Sequence, residues 1–257
     1  MKINDIDMRR WKEYDDIITD SLWIFPARDN TGAHTPEYHG NFIPQIPRQA
    51  MLRFTRRGEW VLDTFAGLGT TLIEARRLGR NAVGIEINGE IARKAMDLVE
   101  NEDNVYNVET RIIVGDSTSE EVYEDLGNFQ MVIMHPPYWD IIKFSNKGGD
   151  LSASQSLDEF LNKFRRAVHL ASQHLDEERY LVLVIGDKYS KGEWIPLGFY
   201  TMREVMDEGF TLKSIVVKNI EENRGKRGQY ALWRYRALKD GYYIFKHEYV
   251  MFFVKNS

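Results

Sequence analysis

The stretch Trp60-Val61-Leu62-Asp63-Thr64-Phe65-Ala66-Gly67-Leu68-Gly69-Thr70-Thr71 decides the fold. Its apolar start reads as a buried strand that stops at a glycine turn. Gly67 and Gly69 let the backbone turn sharply and approach a ligand closely, and Thr70 or Thr71 is suited to cap a helix running on through Ile73 and Ala75. Working outward, Asn81-Ala82-Val83-Gly84-Ile85-Glu86 reads as a second strand that ends in an acid. That acid stands about 20 residues past the glycines, the position from which a carboxylate binds ribose hydroxyls. The pattern is that of a nucleoside site.

Further along, Met131-Val132-Ile133-Met134-His135-Pro136-Pro137-Tyr138-Trp139 is an apolar run that ends at a histidine, two prolines and two aromatics. Residues 129–134 read as a buried strand, and proline cannot continue a central ladder, so the strand ends at His135. What remains is a stiff tip at the carboxyl edge of a strand, where open α/β sheets place their ligands. An aromatic ring braced there is suited to stacking a flat substrate.

Together these residues resemble the S-adenosylmethionine-dependent amino-methyltransferases, the family of adenine-N6 and cytosine-N4 DNA methylases. The family's Asp-x-Phe-x-Gly-x-Gly motif is matched from Asp63 to Gly69. Its catalytic motif is Asp, Asn or Ser followed by Pro-Pro-Tyr, and here His135 stands first. The resemblance covers residues 40–254. It implies an α/β class I (Rossmann-like) methyltransferase fold, with a mostly parallel seven-stranded sheet and a C-terminal antiparallel hairpin.

The resemblance also implies site roles. S-adenosylmethionine would meet Asp63, Phe65, Ala66, Gly67, Gly69, Thr70 and Thr71, then Glu86 and Ile87, then Asp116 and Ser117 at the next strand end. Asp116 equally suits capping a helix over 118–126. Pro44, Gln45 and Ile46, ahead of a helix over 48–55, would close over the methionine end, although the prolines there also fit an ordinary loop entering a helix. An exocyclic amino group is a poor nucleophile because its lone pair is delocalised. His135 and the Pro136 carbonyl would accept its two N–H groups, Pro137 would fix the geometry, and Tyr138 would stack on a flipped base. Only a neutral imidazole accepts, and an unperturbed histidine titrates near pH ~6.5, so methylation is expected to need the deprotonated ring.

Composition narrows the alternatives. The 257 residues, 43% of them hydrophobic, suffice for one substantial core, and a single domain over 1–257 is expected. Residues 1–58 would form the cofactor-closing segment and 59–257 the catalytic core. The absence of cysteine excludes a thiol nucleophile, and with it the cytosine-C5 route, disulfides and zinc–thiolate sites. No apolar run reaches membrane-spanning length and the N-terminus does not look like a signal peptide, so the expected location is the cytoplasm. A net charge of -5 makes nucleic-acid contact a local matter. His34 and His39 sit in a polar loop and are expected to be solvated, with no metal bound.

Two connections stand out as recognition loops, 139–156 and 220–241. The first carries Trp139, Asp140, Lys143, Asn146 and Lys147. The second interleaves Arg224, Lys226, Arg227, Arg234 and Arg236 with Tyr230, Trp233 and Tyr235, a mixture suited to phosphate contacts and base stacking in an otherwise acidic chain. DNA is the favoured substrate. RNA bases, a protein amide, or a non-catalytic nucleotide-binding module remain alternatives, and so does a homodimer or partner subunit. Asp187 and Lys188, past a strand over 181–185, are second-tier site residues. The remaining elements expected are an amphipathic segment over 1–20, a helix over 157–175, and final strands over 211–217 and 242–254.

Overall fold

The computed structural model describes residues 3–38, 40–141, 149–220 and 230–257. Its elements in chain order are β1 (Leu22–Trp23), α1 (Gln45–Phe54), β2 (Trp60–Asp63), α2 (Thr70–Leu78), β3 (Asn81–Glu86), α3 (Gly89–Glu100), β4 (Thr110–Val114), β5 (Phe129–Met134), α4 (Leu157–Gln173), β6 (Leu175–Ile185), β7 (Lys188–Ser190), β8 (Glu193–Ile195), α5 (Leu197–Asp207), β9 (Phe210–Asn219), α6 (Tyr230–Asp240) and β10 (His247–Lys255). The main sheet has the order β1-β9-β10-β6-β5-β2-β3-β4, and β7 and β8 form a separate antiparallel pair. Only β10 runs antiparallel to its neighbours β6 and β9. The mostly parallel sheet with a closing hairpin is thus as expected.

The sheet is buried on both faces because its central strands place apolar side chains on both sides. In β5, Met131 and Ile133 pack with α1, α2 and α3 through residues such as Ile46, Met51, Leu72 and Ala95. Val132 and Met134 point the other way, into a second layer with Phe160, Phe164 and Val168 of α4 and Leu197 and Val205 of α5. This is the continuous hydrophobic reading of a parallel sheet covered by helices. Order reverses at β2, which is flanked by β3 on one side and β5 on the other, with Asp63 level with Ile133. The glycine turn and the His135 tip therefore leave the sheet side by side at a switch point.

Several local expectations change. The sheet has eight strands rather than seven, because Leu22 and Trp23 add in parallel to Val217 and Lys218. Trp23 is buried against Phe25 and Phe252, and a two-residue strand is too short for alternation to reveal. Among the described residues of 1–20 the one regular element is a 3-10 turn, Met8–Glu13, capped by Asp7 and with no buried residue; its apolar positions are too sparse to bury a face. The helix expected over 118–126 contracts to a 3-10 turn, Glu120–Val122, held by the Tyr123 hydroxyl donating to the Ser117 carbonyl at 2.9 Å. Leu175 opens β6 instead of closing α4, since it already pairs with Phe129. The connection after β9 contains α6, whose Ala, Leu, Arg and Lys content favours helix over the expected loop.

Candidate active site

A cavity of about 940 Å³ opens at the carboxyl edges of β2, β3, β4, β5 and β6, a volume suited to a nucleoside-sized ligand and more. At one end Gly67 has φ 52° and Gly69 has φ 77°, a left-handed backbone that glycine adopts without strain. A Cβ on Gly67 would stand 3.1 Å from Asn41 Oδ1, so the loop is closed against the segment preceding α1. The Gly67 N–H donates to Glu86 Oε2 at 3.0 Å, and the Asn88 N–H donates to Glu86 Oε1 at 2.8 Å. Among the described residues no cation pairs with this carboxylate, and burial pushes its pKa up to about 7. Each oxygen keeps a lone pair for a ligand hydroxyl.

Asp63 lies beneath this loop. It is fully buried, accepts from the Phe65 N–H at 3.0 Å and from the Thr71 hydroxyl at 2.5 Å, and burial raises its pKa to about 6. Thr71 thus ties strand end to helix start. The expected Thr70 or Thr71 cap does not form, because Gly69 is the N-cap residue and no side chain caps it. Phe65, Ala66, Gly67, Glu86, Ile87, Asp116 and Ser117 line the cavity, whereas Asp63, Gly69, Thr70 and Thr71 do not. Asp116 also accepts from the Thr118 N–H and hydroxyl, both at 2.8 Å, so its capping role is realised at a turn.

The segment ahead of α1 is displaced from its expected role by a few residues. Pro44 and Ile46 are buried, and Ile46 belongs to the core beside α2. Gln45 is spent on backbone, donating to the Ala27 carbonyl at 2.8 Å and accepting from the Asp29 N–H at 3.3 Å. Tyr38, Asn41, Phe42 and Ile43 line the cavity instead. His34, expected to be solvated, is buried with Nε2 2.8 Å from Glu74 Oε1, which pins this segment to α2; His39 lies outside the described residues.

At the other end of the cavity the chain runs His135, Pro136, Pro137, Tyr138. The His135 ring meets Phe42 edge-on at 5.0 Å and Tyr138 edge-on at 5.7 Å. Desolvation drives its pKa down to about 4, against a smaller opposing pull from Glu248. The expectation that this ring titrates near neutrality is therefore corrected: it is neutral across the physiological range. His135 Nε2 lies 3.3 Å from the Tyr138 oxygen, the Tyr138 hydroxyl donates to Glu248 Oε2 at 2.7 Å, and Lys218 Nζ donates to Glu248 Oε1 at 2.9 Å. Burial alone would raise the Glu248 carboxyl, but Lys218 and the two ring partners outweigh it and hold it below its ordinary value.

Glu248 and Lys218 escaped the sequence reading. They are paired across β10 and β9, and each is a buried charge in a mostly apolar strand. That pattern, one acid and one base at matching places in two neighbouring strands, is the signal that could have found them.

The remaining substrate candidates are dispersed. Trp139, at φ 54°, is not among the lining residues; it donates through Nε1 to the Ser154 carbonyl at 3.0 Å, and Lys188, which does line the cavity, stands 4.1 Å over its ring. Trp233 lines the cavity, and Arg236 covers its ring at 5.5 Å. Tyr230 and Arg234 are exposed on α6. Lys143, Asn146, Lys147, Arg224, Lys226 and Arg227 lie outside the described residues, and so does the Asp140 side chain. Asp187 and Lys188 line the cavity as expected, and Asp187 also accepts from Trp194 Nε1 at 3.1 Å and the Gly198 N–H at 3.0 Å.

The sequence profile of the family described as DNA methylase, covering N6 and N4 methyltransferases, matches residues 2–97 and 129–257. The chain belongs to that family. Among curated proteins, this DNA methylase family member is 46% identical over 72 residues to the type II methyltransferase M2.DpnII of Streptococcus pneumoniae, covering 27% of this chain and 24% of that one. It is 39% identical over 51 residues to M.MjaII of Methanocaldococcus jannaschii, covering 20% and 10%. The matched stretches thus span a quarter or less of these relatives. Among solved structures, TrmN from Thermus thermophilus superposes with a TM-score of 0.54 at 17% identity, over 83% of this chain and 49% of that one. A precorrin-6y C5,15-methyltransferase from Geobacter metallireducens gives 0.53 at 14% identity, over 88% and 95%. These two share the fold. No helix among the described residues is long and apolar enough to cross a membrane.

Proposed function

We propose that this chain transfers a methyl group from S-adenosylmethionine to the exocyclic amino nitrogen of a DNA base, N6 of adenine or N4 of cytosine. The observation that carries the reading is one cavity with a ribose-type carboxylate at one end and a proline-braced histidine at the other, in a member of the DNA methylase family. The residues present fit the cofactor. Glu86 is held by two backbone N–H groups with lone pairs free for ribose hydroxyls, and Asp116 and Ser117 border the space for the adenine. When bound, S-adenosylmethionine supplies an electrophilic methyl on a sulfonium centre.

The chain's own residues prepare the nucleophile. The Pro136 carbonyl and the His135 ring accept the two amino N–H groups, which favours a nitrogen lone pair freed from conjugation. His135 can do this because it is neutral. Tyr138 offers its ring face to a base rotated out of the duplex, as the amino nitrogen is otherwise out of reach. Trp233 and the cations of α6 lie along the approach. We take DNA as the substrate, the whole of 1–257 as one domain, and cytoplasmic location as expected for such an enzyme. The test is transfer of labelled methyl from S-adenosylmethionine to duplex DNA, single-stranded DNA, tRNA and protein, followed by nucleoside analysis. Label in DNA as N6-methyladenine or N4-methylcytosine is expected; label confined to tRNA or protein overturns the substrate, and no label in any of them overturns the activity.

A further inference from the structure

We propose that Lys218 and Glu248 are positioning residues that act through Tyr138 to set the tautomer of His135, so that Nε2 carries the proton and Nδ1 is the ring's acceptor. The inference rests on the amino-methylation reading above, since it assigns the nitrogen that meets the amino group.

The direction follows from donor counting along one chain of contacts. Lys218 has three donors and no acceptor, and Nζ lies 2.9 Å from Glu248 Oε1. Glu248 is an anion with no proton to give. Its Oε2 stands 2.7 Å from the Tyr138 oxygen, so that bond takes the single phenolic proton. Toward His135 Nε2, 3.3 Å away, the Tyr138 oxygen can then only accept. A neutral imidazole has one N–H, and the geometry places it on Nε2. The buried pair is otherwise costly to keep: side-chain exposure is 7% for Lys218 and 8% for Glu248. Removing two charges from water opposes folding unless they are well paired, and directing a reacting group is a role that a bare apolar pair could not perform. In the family's usual motif, Asp, Asn or Ser stands where His135 does, and none of these has a ring tautomer to set.

The experiment is long-range proton–nitrogen NMR of the full chain labelled with 15N-histidine, with His135 assigned by its loss in His135→Gln. The expected wild-type signal is an unprotonated Nδ1 and a protonated Nε2 between about pH 6 and 8. A protonated Nδ1, or a rapidly averaged mixture, overturns the proposal. In Glu248→Gln, the amide oxygen would take Lys218 and the amide NH2 would donate to the Tyr138 oxygen. Tyr138 must then donate to Nε2, so the tautomer reverses and the single-turnover methylation rate falls by about 100-fold or more, with KM for DNA and for cofactor little changed. An unreversed tautomer in a folded Glu248→Gln overturns the relay. Should Glu248→Gln not fold, Tyr138→Phe keeps the ring and cuts the chain, and a mixed tautomer is expected; the wild-type tautomer retained there overturns the relay too. The spectra need no methyl transfer, so failure of the proposed activity and failure of the relay are read separately.

Discussion

Two buried carboxylates face the same cavity and have opposite characters. Glu86, at the glycine-loop end, accepts from two backbone N–H groups and, among the described residues, forms no ion pair, and burial lifts it to about 7. Glu248, at the His135 end, has Lys218 against one oxygen and Tyr138 against the other, and it is held below its ordinary value. Burial is similar at both, 7% and 6% exposed, so the partners and not the depth decide the charge. The first is an acid left open to be completed by a ligand. The second is already complete and acts on its neighbours. Under the proposed function, one end of the cavity binds the cofactor and the other reacts.

The division breaks most readily at His135. His135→Ala removes an acceptor needed only as the amino nitrogen is attacked, so kcat is expected to fall by about 10²–10³, the size of losing one preorganised polar group. The cofactor Kd from calorimetry should stay within about threefold, because Glu86 and its loop are untouched. An unchanged kcat with a weakened Kd would merge the two ends into one. The second break runs the other way. Glu86→Gln weakens cofactor binding by about 10- to 100-fold through loss of charge-assisted hydrogen bonds, while kcat at saturating cofactor is retained within a few-fold.

How much of this was legible in the sequence also follows the two ends. The glycine turn, the strand to Glu86 and the strand to His135 lie where they were expected, because each motif is local: a short apolar run, then residues whose backbone demands a turn. The Glu248 end was invisible for the opposite reason. Tyr138 and Glu248 are 110 residues apart, and only the insertion of β10 between β6 and β9 brings them together. Long-range pairing of this kind has no period to read. Pro44, Gln45 and Ile46 were misplaced because the proline signal for α1 is sound, but the cavity is lined by residues such as Asn41 and Phe42, which carry no turn or cap signal of their own. The helix α6 was readable from its Ala, Leu, Arg and Lys content and was obscured by its charges.

The acid–base contrast sharpens with pH. Glu86 has a folded pKa above its unfolded value, so its contribution to stability is full below about pH 4.5 and is lost as pH rises through about 7. His135 has a folded pKa below its unfolded value, so its contribution is present above about pH 6.5 and is lost as pH falls toward about 4. The two slopes oppose one another between those limits. Denaturant unfolding of wild type and Glu86→Gln isolates the first, expected to be on the order of 1–3 kcal/mol across pH 5 to 7.5. Cofactor affinity should rise with pH by up to about tenfold per unit below pH 7, since hydroxyl donors favour the ionised carboxylate. The single-turnover rate at saturating substrates, by contrast, should be flat from pH 8 down to about 5 and fall only toward about 4, where His135 gains its second proton. A rate that halves near pH 6.5 would place His135 in water.

The smallest effect belongs to the outer rim. Arg234 and Arg236 lie on α6, none of whose residues is fully buried, and Arg236 reaches over Trp233 at the cavity edge. In a chain of net charge -5, such cations are where a phosphate backbone would be met. If each neutralises one phosphate, Arg234→Gln and Arg236→Gln each lower the slope of log Kd for DNA against log salt by about 0.9. The loss in affinity at moderate salt would be only a few-fold, and the same for every sequence, because phosphates carry no sequence information. Arg236→Gln has a second consequence that Arg234→Gln lacks, the loss of its contact with the Trp233 ring. A rate change in Arg236→Gln alone, with equal salt slopes in both, would assign that arginine to holding Trp233 at the cavity rather than to gripping DNA. Unchanged slopes in both would remove α6 from the DNA surface and leave recognition to the other connection.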